Sequence, residues 1–233
     1  MSIQLEVVET PARACAAILV GAVASSGSVV LAGGSTPRAA YEELVQAVET
    51  VGLDLTNTTF WFGDERCVPP DDERSNYLMV KQALLDRLDP GNRPDVHRVQ
   101  GELGPTPAAD AYERELHDAG PPEFDLVLLG IGPDGHTASL FPDQPALSER
   151  SRLVAPVQQP GLEPFVPRVT FTLPALASAK EVVFLVTGGA KADAVAAAFG
   201  PEAKPDPHVP SSLLVPYANE ITVLLDPPAA SKL

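Results

Sequence analysis

Residues 124–136 of the chain are FDLVLLGIGPDGH, an apolar run that leads directly into a glycine-rich turn. The run at 124–129 is nearly continuous in large apolar side chains, which predicts a strand covered on both faces. Strands of that kind belong to parallel sheets whose two faces are packed with helices. The glycines that follow predict a tight turn at the carboxyl end of the strand. This segment therefore indicates an α/β fold.

Apolar runs of the same kind alternate with helical patterns through most of the sequence. Further strands are predicted at 28–32, 58–62, 96–99, 153–157, 168–171, 181–186 and 221–225. Helices are predicted at 37–51, 76–88, 107–119 and 191–199, with another helical segment near Ser211. The alternation predicts a mostly parallel, Rossmann-like sheet with helices on both faces. Because globular patterning resumes after the proline-rich loops at 158–167 and 200–210, residues 1–233 are predicted to form a single domain.

Composition and charge exclude several classes of function. The formal net charge of −15 opposes nucleic-acid binding, because phosphate backbones are held by clustered lysine and arginine. No stretch approaches the roughly 18 consecutive apolar residues of a membrane span, and no secretory signal is visible. Cys15 and Cys67 form no metal-binding spacing. We expect a monomeric, cytoplasmic protein with reduced thiols, no bound metal, and no nucleic-acid or membrane partner.

The turn after the first of these further strands has the features of an anion site. Gly33 and Gly34 let the backbone approach a ligand, Thr36 is a candidate N-cap, and Pro37 suits the first helical position. The N–H groups and hydroxyls of Ser35 and Thr36 at such a helix start can hold a phosphate. A plain capped turn is the alternative interpretation. No lysine follows at the spacing of a P-loop.

The turn at 130–136 matches the GxGxxG pattern of dinucleotide-binding proteins, but the details exclude that interpretation. Pro133 and Asp134 stand where a pyrophosphate needs open N–H groups and no negative charge, and 155–160 contains no ribose-binding acid. The glycines instead predict a turn that projects Asp134 and His136 into a cleft. A lone histidine is more often structural, but its place beside Asp-Gly at the end of a core strand favours a catalytic role.

Charged residues follow the strand at 58–62, in the sequence GDER at 63–66. Three charges at the end of a buried strand are costly unless they are solvated or paired with ligand groups. Asp64, Glu65 and Arg66 are therefore candidate ligand-binding residues, with a solvated loop as the alternative.

Two further cations lie at turns. Arg168 opens a strand, and Lys191 follows two glycines at a helix start, which repeats the pattern of the first anion turn. The remaining histidines, His97, His117 and His208, lie in loop-like or exposed helical contexts and are interpreted as structural. The chain lacks the GxSxG motif of serine esterases and the HExxH motif of zinc proteases.

Together these segments resemble the glucosamine-6-phosphate isomerase/6-phosphogluconolactonase family. The matching runs are AGGSTP at 32–37, GDER at 63–66, SN at 75–76, GIGPDGHTASLFP at 130–142, PRVT at 167–170 and GGAK at 188–191. They occur in family order and span most of the chain. The resemblance implies an enzyme that acts on a phosphorylated sugar.

Two differences favour the lactonase branch over the deaminase branch. The pattern of the similar deaminases after the aspartate is GHIAFNEP, in which the glutamate assists the histidine. This chain instead has Leu140 and Phe141 before Pro142. Deaminases also carry Asp-Glu-Tyr at the position of residues 64–66. The resemblance thus implies hydrolysis of a phosphorylated sugar lactone in the pentose phosphate pathway. A deaminase and a non-catalytic sugar-phosphate sensor are the alternatives.

The resemblance also implies roles for the candidate residues. His136 would be the general base, Asp134 would orient it or bind sugar hydroxyls, and Arg66 would orient substrate or neutralise the oxyanion. Lactone hydrolysis of this kind requires no metal or organic cofactor. The phosphate would lie among Ser35, Thr36, Arg168 and Lys191. The implied substrate-binding residues are Gly33, Gly34, Ser35, Thr36, Asp64, Glu65, Asn76, Arg168 and Lys191.

Overall fold

A computed structural model describes residues 2–120 and 123–233 of the chain. The strands in these ranges are β1 (Ser2–Val7), β2 (Ser28–Leu31), β3 (Thr59–Phe62), β4 (Asp64–Arg66), β5 (Asp95–His97), β6 (Leu126–Leu129), β7 (Val154–Val157), β8 (Arg168–Phe171), β9 (Glu181–Val186) and β10 (Glu220–Leu225). The α-helices are α1 (Pro11–Ala24), α2 (Ser35–Val51), α3 (Asn76–Ala83), α4 (Pro105–Asp118), α5 (Leu173–Ala177) and α6 (Ala192–Phe199). Short 3-10 helices cover Leu85–Arg87, Gly101–Leu103, Pro145–Ser148, Gly189–Lys191 and Pro210–Leu214.

Seven strands form the central sheet, in the order β1-β10-β9-β6-β2-β3-β5, and every pair in it is parallel. The central strand is β6, between β9 and β2, and all four of its residues are buried. This burial explains its unbroken apolar sequence, because a central parallel strand has helices or loops over both faces. The predicted α/β fold with a mostly parallel sheet is confirmed.

A second, smaller sheet was not foreseen. The strands β4, β8 and β7 pair antiparallel in that order, so two predicted strands lie outside the main sheet and one strand was missed. The two sheets join at Gly63, whose N–H donates to Leu31 O and whose carbonyl accepts from Phe171 N. The small sheet therefore starts directly beyond the carboxyl end of β3, where it can wall a cleft.

The amino-terminal elements were also missed. The strand β1 lies at the edge of the main sheet and pairs in parallel with β10 from the far end of the chain. Most of its side chains are exposed, including those of Leu5 and Val7, so its sequence lacks the apolar signature of the inner strands. Helix α1 follows it and packs against α2. Only the long-range pairing with β10 makes residues 2–7 a strand.

Both cysteines are free thiols, as predicted. Cys15 lies buried on α1, and burial raises its pKa to about 12. Burial and the nearby Glu65 carboxylate likewise raise the pKa of Cys67 to about 12. No helix within the described ranges is long and apolar enough to cross a bilayer. The monomeric state stays a prediction.

Candidate active site

The carboxyl ends of parallel strands share one edge of a sheet, so the turns after β2, β3, β6 and β9 meet there. A cleft of about 320 Å³ lies at this edge. Seven of the predicted site residues line it, namely Gly33, Asp64, Arg66, Asn76, His136, Arg168 and Lys191. The structure thus brings together residues that are widely separated in sequence.

The turn that carries His136 is closed largely by its own residues, and the Ser211 N–H from a distant segment adds a hydrogen bond to Gly135 O at 3.0 Å. Gly132 N donates to His136 O at 2.9 Å, and Gly135 N donates to Gly132 O at 3.0 Å. A Cβ on Gly132 would lie 2.0 Å from His136 Nδ1, and Gly135 has a φ of +80°, which favours glycine. These glycines therefore make room for a tight turn, as predicted from the sequence.

Asp134 is the partner of His136. Its Oδ1 lies 2.5 Å from His136 Nδ1 and also accepts from the His136 N–H at 3.2 Å. Burial acts to raise the pKa of Asp134, but the hydrogen bonds and charge of His136 outweigh it, and the net pKa is lowered. Asp134 does not line the cleft, although its side chain is partly exposed. Its role, whether it orients His136 or binds sugar hydroxyls, stays a prediction.

The other face of His136 packs on Phe141. The two ring centroids lie 4.5 Å apart, and the Arg168 guanidinium lies 5.2 Å from the Phe141 centroid. Phe141 is fully buried. Because His136 is held between a carboxylate and this ring, its orientation in the cleft is fixed.

Asp64 and Asn76 form a buried polar pair on the opposite wall. Asp64 Oδ2 accepts from Ser139 Oγ at 2.6 Å, and Asn76 Nδ2 donates to Asp64 Oδ1 at 3.1 Å. Asn76 Oδ1 has no hydrogen-bond partner within the described part of the chain, although it is buried. A Cβ on Gly33 would lie 1.9 Å from that oxygen. The cleft therefore holds an acceptor that the chain leaves unused.

Glu65 is a buried carboxylate. It is 3% exposed, does not line the cleft, and accepts hydrogen bonds from the backbone N–H groups of Arg66, Asn76 and Tyr77 and from Ser75 Oγ. Burial outweighs these bonds and raises its pKa. With both oxygens engaged by its own chain, Glu65 holds the start of α3 and the Arg66 backbone. Its expected place among the substrate-binding residues stays a prediction.

Arg66 and Arg168 stand opposite each other on the antiparallel strands β4 and β8. Arg66 Nη1 donates to Arg74 O at 2.7 Å, and Arg168 Nη2 donates to Leu162 O at 2.9 Å. The Nε atoms of both arginines are buried without a partner among the described residues. Like charges directly opposite on a sheet are unfavourable, and an anion between them offsets the repulsion.

Lys191 lies half-buried at the end of the turn after β9. Burial lowers its pKa, and the Asp226 carboxylate partly opposes that effect. Lys191 makes no ion pair with any described residue. A desolvated ammonium of this kind is suited to an anionic ligand.

The first anion turn differs from its prediction. Helix α2 begins at Ser35 with Gly34 as N-cap, and no side chain caps it, so the assignment of Thr36 as N-cap and Pro37 as first helical residue was wrong. Thr36 Oγ1 instead hydrogen-bonds Thr187 Oγ1 at 2.9 Å. Ser35 and Thr36 line a neighbouring groove between α1 and α2, whose described lining includes no histidine. Their backbone N–H groups lie at the helix start.

Sequence reasoning missed two residues that organise the cleft. Ser139 lies between Asp64 and Arg168, with its Oγ 3.5 Å from Arg168 Nη1. Asp226 accepts from the Gly188 N–H and so anchors the turn that leads to Lys191. Asp226 directly follows β10, so the strand-end rule applied to that predicted strand would have identified it. Ser139 lies in the family-like run at 130–142, but nothing in that run marks it as a partner of Asp64 and Arg168.

The other histidines lie outside the cleft. His97 stacks on Trp61 with ring centroids 3.9 Å apart, and its Nδ1 lies 2.6 Å from Glu115 Oε1. This packing agrees with the structural role predicted for it. Within residues 2–120 and 123–233, no group of three His, Cys, Asp or Glu side chains is placed to hold a metal ion.

Comparisons with known proteins identify the family of this chain. The model of the family described as glucosamine-6-phosphate isomerases/6-phosphogluconolactonase matches residues 4–223. The chain is 40% identical over 220 residues to a 6-phosphogluconolactonase of Synechocystis, covering 89% of this chain and 85% of that protein. It is 39% identical over 205 residues to the human 6-phosphogluconolactonase, covering 86% of this chain and 78% of the relative.

A solved structure has the same fold over its whole length. The crystal structure of 6-phosphogluconolactonase from Leishmania guyanensis superimposes with a TM-score of 0.86 at 30% identity, covering 100% of this chain and 99% of that one. The chain therefore belongs to the glucosamine-6-phosphate isomerase/6-phosphogluconolactonase family.

Proposed function

We propose that this protein hydrolyses 6-phospho-D-glucono-1,5-lactone to 6-phosphogluconate. The observation that carries the proposal is the Asp134–His136 pair, which presents the histidine to a cleft that also contains Arg66, Arg168 and Lys191. The relatives named above are lactonases of this kind, which supports the same substrate here. The reaction belongs to the oxidative pentose phosphate pathway, and the free thiols support a cytoplasmic location.

The hydrogen bond to Asp134 selects the tautomer of His136. Since the pKa of Asp134 is lowered, its carboxylate is ionised near neutral pH and accepts a hydrogen bond from the Nδ1–H group of His136. A neutral imidazole that carries its proton on Nδ1 has a lone pair on Nε2. The carboxylate also stabilises the imidazolium that forms when Nε2 takes a proton, as in other histidine–aspartate pairs.

The proposed reaction has two steps. Water attacks the lactone carbonyl carbon while its proton moves to His136 Nε2, and the carbonyl electrons form an oxyanion. The oxyanion then collapses, the bond from the carbonyl carbon to the ring oxygen breaks, and the ring oxygen takes the proton from Nε2. We assign the stabilisation of the oxyanion to Arg66, which lines the cleft.

We assign the phosphate to the end of the cleft nearest Lys191. The ammonium is half-buried and makes no ion pair with a described residue, and the N–H groups of Ser35 and Thr36 open the neighbouring α2. Arg168, with its unpartnered Nε, supplies a second cation. Two fixed charges and a helix start match a phosphate dianion better than they match a neutral sugar.

Phe141 argues against the deaminase reaction. It stands at the position of the glutamate in the deaminase pattern, directly before Pro142, and its buried ring packs on His136. No carboxylate other than Asp134 contacts this histidine within the described residues. The carboxylate that assists the histidine in the deaminase pattern therefore has no counterpart here.

The direct test is turnover of 6-phosphogluconolactone, with spontaneous hydrolysis subtracted at each pH. We expect saturable hydrolysis by the purified protein and no ammonia release from glucosamine 6-phosphate. Ammonia release would contradict the proposal in favour of the deaminase. Binding of 6-phosphogluconate without hydrolysis of the lactone would contradict it in favour of a sugar-phosphate sensor.

A further inference from the structure

The turn that carries Lys191 is anchored by a residue from another part of the chain. Both carboxylate oxygens of Asp226 accept the Gly188 N–H, at 3.0 and 2.9 Å, and Oδ1 also accepts the Ala229 N–H at 2.8 Å. Asp226 itself stands at the end of β10, where its N–H donates to Val186 O. One side chain therefore ties the end of β9 to the segment that follows β10.

The anchor extends to Lys191 through a single residue. Gly188 has a φ of +92°, in the left-handed region, and its carbonyl accepts the Lys191 N–H at 3.1 Å. The Gly188 N–H is thus held by Asp226, while the Gly188 carbonyl fixes the backbone of Lys191. Because glycine is conformationally free, this turn needs an external partner to hold one conformation.

Asp226 also affects the pKa of Lys191. The lysine is half-buried and has no ion-pair partner among the described residues, and burial lowers its pKa. The nearby carboxylate opposes that effect without forming a salt bridge. The ammonium thus stays available for a ligand rather than being neutralised by direct pairing.

We propose that Asp226 is a positioning residue for substrate phosphate, which fixes the Gly188 turn and thereby places the Lys191 ammonium in the cleft. The inference rests on the proposed function, since it presumes a phosphorylated substrate. Asp226 does not line the cleft, so it acts through Lys191 and not by contact with substrate.

Two variants grade the loss of the anchor, and a third is the control. Asp226→Ala removes the charge and both acceptor oxygens, whereas Asp226→Asn removes the charge and the Oδ2 acceptor but keeps Oδ1 as an acceptor for Gly188 and Ala229. Asp125→Asn is the matched control, because Asp125 also accepts a backbone N–H (Ser28) and faces a lysine (Lys180), but at the opposite edge of the sheet.

The decisive measurement is a double-mutant cycle with Lys191→Ala. We expect Asp226→Ala to raise KM for the phosphorylated lactone about tenfold with kcat nearly unchanged, Asp226→Asn to raise it less, and Asp125→Asn to leave it unchanged. In the Lys191→Ala background, Asp226→Ala should add less than about twofold. An equal cost in both backgrounds would show that Asp226 acts independently of Lys191 and would overturn the proposal.

Amide hydrogen exchange gives a readout that needs no substrate. Asp226→Ala should accelerate exchange at residues 188–191, and Asp226→Asn should do so less, since it retains the acceptor. Unchanged exchange in Asp226→Ala would overturn the positioning role. If the wild-type protein failed to hydrolyse the lactone, the proposed function would fall, while the exchange result would still decide whether Asp226 holds the turn.

Discussion

The turn at 130–136 and the turn at 187–191 both follow central parallel strands, yet they are held differently. The first is held largely by its own residues, with hydrogen bonds between Gly132 and His136 and between Asp134 and the same histidine, and only the bond from Ser211 N to Gly135 O comes from a distant segment among the described residues. The second depends on Asp226, which lies beyond another strand. A turn that contains its own partners is set by local sequence, whereas an open glycine turn takes its conformation from the tertiary structure.

This contrast predicts that the two turns contribute to different kinetic constants. The self-contained turn carries the group that must be oriented to within a narrow range for proton transfer. The externally held turn carries a cation, and a charge attracts phosphate over a wider range of positions than a base tolerates. Damage to the first turn should therefore appear in kcat, and damage to the second in KM.

The largest effect is expected when the first turn loses its base. His136→Asn keeps polarity and much of the side-chain shape, so folding and product binding should be retained. The value of kcat should fall by about 10²- to 10⁴-fold, the usual contribution of a positioned general base. Near-wild-type kcat, after subtraction of spontaneous hydrolysis, would mean that another group is the base.

A smaller loss is expected when the base remains and its position changes. A Cβ on Gly132 would lie 2.0 Å from His136 Nδ1 and 2.6 Å from Asp134 Oδ1, so Gly132→Ala must displace the imidazole. We expect kcat to fall by about 10²-fold, as misplaced catalytic groups do. Gly21→Ala is the control, because a Cβ there meets no atom within 4 Å and Gly21 lies on α1, outside the cleft. Equal kcat values for the two variants would refute the requirement for a fixed turn.

Removal of the Lys191 ammonium should impair the phosphate binding that we assign to the second turn and leave the first turn unaffected. Lys191→Ala should lower kcat/KM for the phosphorylated lactone by about tenfold to a hundredfold through KM, because one charge-assisted contact is lost. Hydrolysis of unphosphorylated gluconolactone, slow in the wild type, should change little. Lys180→Ala, which removes a lysine paired with Asp125 at the opposite edge, is the control. An equal loss for both lactones would remove Lys191 from the phosphate site.

The smallest expected effect is a shift in the pH dependence of kcat/KM, which tests the role of Asp134. Its pKa is lowered, so the carboxylate stays ionised across the pH range in which histidine titrates, and a single group should define the acid limb of kcat/KM. Asp134→Asn deprives the imidazolium of its anionic partner, which makes protonation of the base less favourable. The acid limb should therefore move to lower pH, by about one unit. A limb that stayed in place would show that Asp134 does not interact with the base.

Much of the fold and part of the site were predictable because their signals are local. The apolar run of β6, the helix at α2 and the compact turn at 130–136 each depend on residues close together in sequence. The edge strand β1 was not predictable, because its exposed side chains give no apolar pattern. Its conformation follows from pairing with β10.

The sequence by itself determined the parallel α/β fold, the family and the glycine turn that carries Asp134 and His136, since apolar patterning and a short glycine turn are encoded over a few residues. Only the tertiary structure decided the places of Glu65, Ser139 and Asp226. The sequence around a carboxylate does not indicate which N–H groups it will bind in the fold, because those groups come from distant segments. Glu65 accepts hydrogen bonds from the N–H groups at the start of α3, while Asp226 accepts the Gly188 N–H in the turn before Lys191. Which acid serves a ligand and which serves the backbone is settled by long-range hydrogen bonding, because a buried carboxylate must be satisfied by whatever donors the fold brings to it.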